Sequence, residues 1–387
     1  MFGKIRPEQQ MKKNYLLQLF AGILLIAVLL LIPTGYEDAV IYQNAERAVV
    51  IVTATDNSSI LKSGLIMSGE QSCELYVTEG MFKGKTIQGV NFLSGSLERD
   101  KIYKTGDRAY VTISHQGDRV TQAVMTDHFR LGKEAVLLVL FFGFLLLFAG
   151  KNSIQAIFLF IITVLAIWKI LIPAYLRGCD PIAAGIILSA LLTLMIIYFV
   201  YGIDMRTLVA SAGSVLGILT TAVLGMIFTS WLNIHGAIMP GAESLLYAGY
   251  QNLNLTRIYM AGIFIGASGS MMDLSVDITS AVWEVVQKKP DISGREAVRS
   301  GMNVGRAAMG TMTTTLLLAY SGSYVTQMMV FMAQGTPVDH ILNYRYVASE
   351  VLHTVAGSFG LVTVAPFTAL AAGLILPGYR ARKSGKA

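Results

Sequence analysis

Runs of apolar residues separated by short polar segments follow one another along most of the chain. A helix needs about 20 apolar residues to cross the hydrocarbon core of a bilayer, and eight runs approach or exceed that length. The pattern predicts an α-helical polytopic membrane protein with about eight transmembrane helices. These helices are expected at residues 14–33, 134–150, 153–174, 182–203, 207–230, 257–280, 304–332 and 346–376.

The segment 36–132 has a different pattern. Short stretches rich in Val, Ile, Thr and Tyr alternate with glycines such as Gly84 and Gly106, which is typical of strands joined by turns. Strands at this spacing predict a small all-β barrel of the OB or SH3 type, although a spacer domain without chemistry fits the same pattern. The strands are expected at residues 49–55, 72–77, 86–92, 109–113 and 119–125.

A mixed polar and apolar segment lies between the fifth and sixth predicted helices. It combines Trp231, Tyr247 and Tyr250 with glycine and proline. Because aromatic residues gather at bilayer surfaces, we expect an interfacial helix or a re-entrant segment here. The chain then divides into a tail with the first helix, the barrel, four helices, this segment, a helical core and a basic tail, at residues 1–35, 36–132, 133–230, 231–256, 257–377 and 378–387.

The composition excludes several other classes of protein. Hydrophobic residues make up 54% of the chain and charged residues only 14%, whereas soluble domains have about 25% charged residues. Disordered proteins, disulfide scaffolds and ordinary soluble enzymes are therefore excluded. The chain contains no P-loop, G-x-S-x-G, HExxH or CxxC sequence, so we expect neither an enzyme nor a bound cofactor.

Basic residues are distributed unevenly between the two sets of predicted loops. The positive-inside rule places the basic set in the cytoplasm. We therefore expect both termini in the cytoplasm and residues 36–132 on the opposite side of the membrane. The basic set is Lys4, Arg6, Lys12, Lys13, Lys151, Arg206, Lys288, Lys289, Arg295, Arg299, Arg306, Arg380, Arg382, Lys383 and Lys386, and the opposite loops hold little beyond Lys133, Arg177, Arg257 and Arg345.

The two cysteines, Cys73 and Cys179, are too few for a disulfide framework or a metal cluster. Both fall on the predicted outer side, where an oxidising environment permits a bridge. The sequence leaves open whether they are bridged.

Three carboxylates occur within or just beyond the sixth predicted helix. At 100° per residue, Asp273, Asp277 and Glu284 fall on one helix face. Carboxylates at membrane depth are costly and usually mark an ion or proton path. Because neighbouring carboxylates repel each other when both are ionised, we expect Asp273 and Asp277 to share one proton at neutral pH. The alternative is that the helix ends near Asp273 and both aspartates are solvated.

The next predicted helix supplies groups that complement these carboxylates. Arg306 begins it and could pair with Asp273 or Asp277, since an arginine entering a helix bundle needs a carboxylate. The threonines that follow either line the same path or hydrogen-bond to carbonyls of their own helix; they include Thr311, Thr313 and Thr314.

Glu350 and His353 begin the last predicted helix, on the outer side. Their i to i+3 spacing places both on one face, as the exit of a proton path or as polar residues at the membrane surface. With only Asp339 and His340 nearby, the ligands are too few, and we predict no metal site.

The block from Gly262 to Ser323 resembles the YibE/F-like family of multi-pass bacterial membrane proteins. The resemblance extends over most of the chain and includes the predicted barrel. This family has no assigned biochemical activity, so the resemblance implies a family but no reaction.

The same block is more distantly similar to the protein-translocation factor SecDF. Asp277 and Glu284, in the segment VDITSAVWE, are similar to a segment of the SecD half. Arg306, followed by Thr313 and Thr314, is similar to the arginine and Thr-Thr pair of the SecF half. This similarity covers about 60 residues.

The SecDF resemblance implies a relative of the RND permease superfamily, whose members couple proton flow to movements of their outer domains. It implies that Asp277 is the protonatable group, Arg306 its electrostatic partner and Asp273 an extra carboxylate. The chain departs from that pattern in its additional helices, its small barrel and its single copy of the charged pair. A single copy implies pairing with itself or with a related membrane chain.

We therefore expect a permease or export-assisting protein of unknown substrate, driven by the proton-motive force through protonation of the aspartate pair. The alternative is a non-transporting scaffold or sensor whose barrel binds an envelope partner and whose charged residues form structural ion pairs. The expected surroundings are membrane lipid and a second membrane chain. We expect no nucleic acid, because no basic groove is recognisable.

Overall fold

The computed structural model describes residues 7–36, 45–150 and 152–383. The chain divides into two compact units, one formed by Tyr36–Ser153 and the other by Met1–Gly35 with Ile154–Ala387. Parts of several predicted features lie outside the described residues: the ends of the two tails at 1–6 and 384–387, residues 37–44 before the barrel, and Lys151.

Six strands in the unit Tyr36–Ser153 form one sheet. They are β1 (Ala45–Asp56), β2 (Ile60–Ser63), β3 (Ile66–Val77), β4 (Thr86–Ser94), β5 (Arg108–Gln116) and β6 (Arg119–His128). Strand β1 pairs with both β3 and β5, so the ring β1–β3–β4–β6–β5 closes on itself. The ring closes between β4 and β6 through one parallel pair, Val90 with Val124. This order is that of an OB-type Greek-key barrel.

The predicted small β-barrel is therefore confirmed, and its order favours the OB type over the SH3 type. Each of the five predicted strands corresponds to one strand of the ring. Strand β2 was not predicted, because its four largely exposed residues form a hairpin with β3 and have no inward-facing pattern.

The barrel interior is apolar except for a buried amide network. Gln71 is fully buried among residues such as Leu75 and Ile113. Its Nε2 donates to the carbonyl of Tyr103 (2.8 Å), and its Oε1 accepts from the Tyr103 N–H (3.0 Å) and from Asn91 Nδ2 (3.2 Å). These bonds satisfy polar groups that would otherwise be costly to bury.

The apolar helix α2 (Leu131–Ala149) follows β6 within the same unit. Its start is fixed against β5, because the N–H of Phe129 donates to the carbonyl of Arg108 (2.8 Å). The ring of Phe129 also packs on that of Tyr110, with 5.3 Å between the centroids.

Helices make up the second unit. They are α1 (Pro7–Leu31), α3 (Asn152–Ala166), α4 (Ile172–Leu176), α5 (Pro181–Tyr201), α6 (Met205–Trp231), α7 (Ala242–Tyr247), α8 (Leu255–Lys288), α9 (Gly294–Ser321), α10 (Val325–Ala333), α11 (Val338–Asn343) and α12 (Arg345–Lys383). A π-helical turn joins α3 to α4. The segment expected to be interfacial or re-entrant contains a short 3₁₀ turn and α7.

Polar caps set the starts of the central helices. The carboxylates of Asp180 and Asp204 accept hydrogen bonds from first-turn N–H groups of α5 and α6, and Ser293 with Glu296 forms a capping box on α9. Such caps satisfy N–H groups that lack intrahelical partners. The helices predicted at 182–203 and 207–230 are accordingly found within two residues of their expected bounds.

Five helices in the described part of the chain are long and apolar enough to cross a membrane: Leu131–Ala149, Ser153–Leu176, Pro181–Tyr201, Met205–Trp231 and Arg345–Ala381. Helices α9 and α10 would form a sixth together, but a bend of 66° separates them. The run expected as one helix over 304–332 is thus broken at its middle. The apolar part of α1 is shorter, and α8 is not among the five, so a count of about eight stays a prediction.

Small residues allow α6 and α12 to pack closely. A Cβ built on Gly213 would overlap the side chain of Thr368, and one built on Gly217 would overlap Val364. At this contact the hydroxyls of Thr368 and Ser275 of α8 are hydrogen-bonded at 2.9 Å. The core of the unit therefore lies where α6, α8 and α12 meet.

Candidate functional site

Helix α8 has one exposed face made of small and polar residues. We call it the α8 stripe; its members, three or four residues apart, are Gly266, Gly269, Asp273, Asp277, Ser280, Glu284 and Gln287. The opposite face, with Met271, Leu274 and Ile278, is fully buried. The three carboxylates that the spacing places on one face all lie on this stripe.

Helix α8 continues without a break past both aspartates. It ends at Lys288, so Asp273 lies about 22 Å before the end of the helix. The alternative interpretation, in which the helix ends near Asp273, is therefore wrong. Each aspartate is instead flanked along the helix by buried apolar residues, Leu274 and Ile278.

The register of α8 against α9 places Asp277 and Arg306 at the same level. A Cβ built on Gly305 would lie 3.1 Å from Cδ1 of Ile278, and Gly301 makes the corresponding contact with Val282. Asp277 directly precedes Ile278, and Arg306 directly follows Gly305. Because α8 and α9 are antiparallel neighbours, the side chains of Asp277 and Arg306 are attached to their helices at the same depth.

Arg306 is nevertheless exposed and makes no ion pair with Asp273 or Asp277 in the described residues. The ion pairs found in the helices join other groups, such as Arg206 to Asp204 and Arg257 to Asp180. Asp273, Asp277 and Arg306 therefore lie on neighbouring helices at similar depth, but no ion pair connects them within the described residues.

Glu284 differs from the two aspartates on the α8 stripe. It is exposed and pairs with Lys288 one turn later, with 2.6 Å between Oε1 and Nζ. Lys289 similarly pairs with Glu296 at 3.2 Å. These exposed pairs mark the connection between α8 and α9, and Glu284 is therefore satisfied by a lysine of its own helix.

The predicted threonines of α9 bond to their own helix. The hydroxyl of Thr311 donates to the carbonyl of Ala308 (2.9 Å), and that of Thr313 donates to Met309 (2.8 Å). Thr314 donates to a carbonyl one turn earlier in the same way. The back-bonding interpretation therefore describes these side chains in the structure.

Tyr201, at the end of α5, is a contact of α8 that sequence reasoning missed. Its hydroxyl donates to the carbonyl of Val276 (2.7 Å) and lies 2.7 Å from the hydroxyl of Ser280 on the α8 stripe. The guanidinium group of Arg206 stacks on the Tyr201 ring (4.9 Å) and on Trp283 (5.4 Å). A tyrosine at the end of an apolar run was the available signal.

Glu350 and His353 lie in a cluster of aromatic hydroxyls near the start of α12. The carboxyl of Glu350 is hydrogen-bonded to Tyr324. The ring of His353 packs on Tyr320, 4.3 Å between centroids, and its buried Nε2 has no hydrogen-bond partner among the described residues. Sequence reasoning missed the tyrosines, since they come from the distant helix α9 and the turn after it.

Glu350 also lines an apolar cavity of about 610 Å³ between α9, α10 and α12. Methionines of α10, including Met328 and Met332, make up one wall. The structure brings together no group of three or more His, Cys, Asp or Glu that could hold a metal ion, within its described residues.

The two cysteines are not bridged: Cys73 is buried in the barrel and Cys179 is exposed. Burial raises the pKa of the Cys73 thiol to about 11, because the thiolate would lose its hydration.

Comparison with known protein families shows what the chain is similar to. The family model described as YibE/F-like protein matches residues 137–378, which is more than half of the chain. No curated protein and no solved structure matches. The matched region contains Asp273, Asp277 and Arg306 and starts after the barrel.

Proposed function

The chain belongs to the YibE/F-like family, and we propose that it is a membrane permease or export-assisting protein driven by the proton-motive force. Protonation of the pair Asp273 and Asp277 drives its conformational change. The proposed location is the cytoplasmic membrane of a bacterium, with both termini inside and the barrel outside. The substrate is left open.

The observation that carries the proposal is the placement of the α8 stripe. Two carboxylates that form no ion pair within the described residues lie in the middle of a long helix whose opposite face is buried and largely apolar. Lipid cannot solvate a carboxylate, so in a membrane this stripe must face water or another protein surface. A protonatable group at membrane depth is what a proton-coupled carrier needs.

Arg306 supplies the means to convert protonation into movement. An ionised Asp277 attracts a guanidinium group that starts from the same level of the neighbouring helix, whereas a protonated Asp277 does not. Formation and loss of this attraction would shift α9 along α8. The distant similarity to SecDF and the RND permeases supports the same roles by analogy.

A second membrane chain is part of the proposal. The α8 stripe and exposed residues of α9, including Arg306 and Gly310, carry opposite charges and small residues on adjacent helices. Such a surface is self-complementary, because Asp277 of one copy can meet Arg306 of another across a two-fold axis. A related chain with the same two motifs would serve equally well.

The test follows the shared proton in the full chain reconstituted into liposomes. We expect the infrared carbonyl band of a protonated carboxyl to persist at neutral pH in the native protein and to disappear in Asp277→Asn. Glu284→Gln is the matched control, because it removes a carboxylate of the same stripe that already pairs with Lys288. Absence of the band from the native protein, or its survival in Asp277→Asn, contradicts the proposal.

Conformational coupling needs a second measurement. An imposed pH gradient should change the hydrogen exchange of α8 and α9 in the native protein and in Glu284→Gln, but not in Asp277→Asn. Equal responses in all three proteins would remove the aspartate pair from the mechanism.

The second candidate function is a scaffold or sensor, and one feature of the barrel favours it. A cavity of about 800 Å³ on the outer face of β5 and β6 is lined by polar and aromatic side chains such as Arg47, Tyr110 and Gln122. An envelope partner could bind there. In that case Asp277 and Arg306 are structural: Asp277→Asn and Arg306→Gln each impair folding, and the double variant partly restores it. Stable but inactive variants favour the permease.

A further inference from the structure

A polar cavity of about 690 Å³ lies where the barrel joins α2. The turn before β5, the end of β6 and the first turn of α2 all contribute to it. Its charged and polar lining includes Asp107, Arg108, His128, Arg130, Gly132 and Lys133. All of these residues belong to one unit of the chain.

The cavity has an excess of positive charge. Its carboxylate, Asp107, already accepts the N–H of Lys104 (2.8 Å) and lies 3.9 Å from Nδ1 of His128. Three basic side chains line the cavity. Arg130 forms an ion pair, whereas Arg108 and Lys133 form none within the described residues. Two cationic side chains therefore remain available to an anion.

The third cation, Arg130, pairs with a carboxylate outside the cavity. Its Nη1 lies 2.9 Å from Asp127. This hydrogen bond holds the pKa of Asp127 below its usual range, so the pair stays charged at neutral pH. The charge of Arg130 is therefore already balanced by Asp127.

Arg108 is positioned by its neighbours before any ligand arrives. Its guanidinium group lies 4.5 Å from the centroid of the Phe129 ring. Phe129 is fixed in turn by its hydrogen bond to the Arg108 carbonyl and by the Tyr110 ring. A planar guanidinium held in this way can present two parallel N–H groups to a phosphate.

The start of α2 adds backbone donors to the cavity. Its N-cap residue, Arg130, makes no side-chain cap hydrogen bond, and its carbonyl accepts the N–H of Lys133 (2.9 Å). Within the described residues, the first-turn donors left for a ligand are therefore the N–H groups of Leu131 and Gly132. A Cβ built on Gly132 would meet only Phe129, at 3.9 Å, which leaves the backbone there open to a ligand. Glu134, the acidic residue of the first turn, does not line the cavity.

We propose that this cavity binds the phosphate group of an anionic phospholipid. The 19 residues of α2 span about 28 Å, close to the thickness of a hydrocarbon core. A cavity at the first turn of such a helix lies at the depth of the lipid head groups. Basic side chains at that depth attract anionic lipid. The inference rests on the proposed membrane location but not on proton coupling.

The test measures lipid binding to the purified full chain by native mass spectrometry. Phosphatidylglycerol is titrated against the native protein and against a double variant, Arg108→Gln with Lys133→Gln. Each basic residue near a head group contributes roughly a factor of five, so the double variant should bind roughly 30-fold more weakly. Lys62→Gln with Lys83→Gln is the matched control, because both lysines are exposed barrel residues outside the cavity.

Three results would overturn the proposal. One is phosphatidylglycerol binding that falls equally in the cavity variant and in the control, since this indicates nonspecific attraction. Another is unchanged binding in the cavity variant. A third is binding of inorganic phosphate without phosphatidylglycerol, which assigns the cavity to a free anion. If the double variant fails to fold, the single variants Arg108→Gln and Lys133→Gln should each weaken phosphatidylglycerol binding about fivefold.

Discussion

The contact between α6 and α12 allows a quantitative prediction, for which Gly213→Ala is the perturbation. A Cβ at this position would overlap the hydroxyl of Thr368 and lie 3.0 Å from its Cα. The side chain of Thr368 can rotate, but its backbone cannot move without displacing α12. The hydroxyl would therefore leave its hydrogen bond with Ser275.

The magnitude follows from three contributions. Ser275 and Thr368 are both fully buried, and a buried hydroxyl that loses its partner costs about 1–3 kcal/mol. Extra volume in a packed core costs about 1–3 kcal/mol. Replacing glycine by alanine within a helix returns about 1 kcal/mol. We expect Gly213→Ala to lower the free energy of unfolding by about 3 kcal/mol.

The assay is reversible unfolding of the purified protein in mixed micelles, followed by circular dichroism. Gly262→Ala is the control, because a Cβ there has no neighbour within 4 Å, and this variant should be as stable as the native protein or slightly more so. The double variant Gly213→Ala with Thr368→Ala should lose less free energy of unfolding than the two single variants lose in sum. Equal stability of Gly213→Ala and Gly262→Ala would refute the packing argument.

Two further predictions concern the barrel and the cysteines. Gln71→Leu should destabilise the barrel by about 3 kcal/mol, because it removes the partner of both the N–H and the carbonyl of Tyr103. Urea unfolding of the protein checks this, with the exposed Gln122→Leu as the control. A maleimide should modify Cys179 in the folded protein and reach Cys73 only after unfolding, since Cys73 is buried with a pKa of about 11. In the variant Cys179→Ser, only Cys73 can react, and mass spectrometry measures its labelling. Rapid labelling of this variant in the folded state would contradict the prediction, because it would show that the barrel opens.

Helix bounds were predictable where local signals agree. The start of α5 is marked by Asp180 with Pro181, and that of α6 by Asp204. The apolar run after each of these signals is long enough for a helix. The barrel strands were predictable because glycines in left-handed turns, such as Gly84 and Gly106, separate alternating segments.

Other features differ from what the apolar runs indicate. The bend between α9 and α10 falls at Ser321-Gly322-Ser323, a short turn signal that the prediction of one helix over 304–332 passed over. Helix α8 extends beyond its predicted end because a polar stripe interrupts the apolar run without interrupting the helix.

The candidate site was predictable only where it depends on spacing along one helix. Spacing alone places Asp273, Asp277 and Glu284 on one face. The common level of Asp277 and Arg306 depends on the contact of Ile278 with Gly305, which is a property of packing between two helices. The pairing of Glu284 with Lys288 is local, and the i to i+4 rule gives it directly.

The single parallel pair between β4 and β6 has a mechanical consequence for the barrel. Every other junction of the ring is a ladder of several residue pairs, whereas this one consists of Val90 and Val124. A mechanical load on the barrel would therefore separate the strands at this seam first. The opened strands would remain a connected sheet with two free edges, able to re-form the ring when the load is removed.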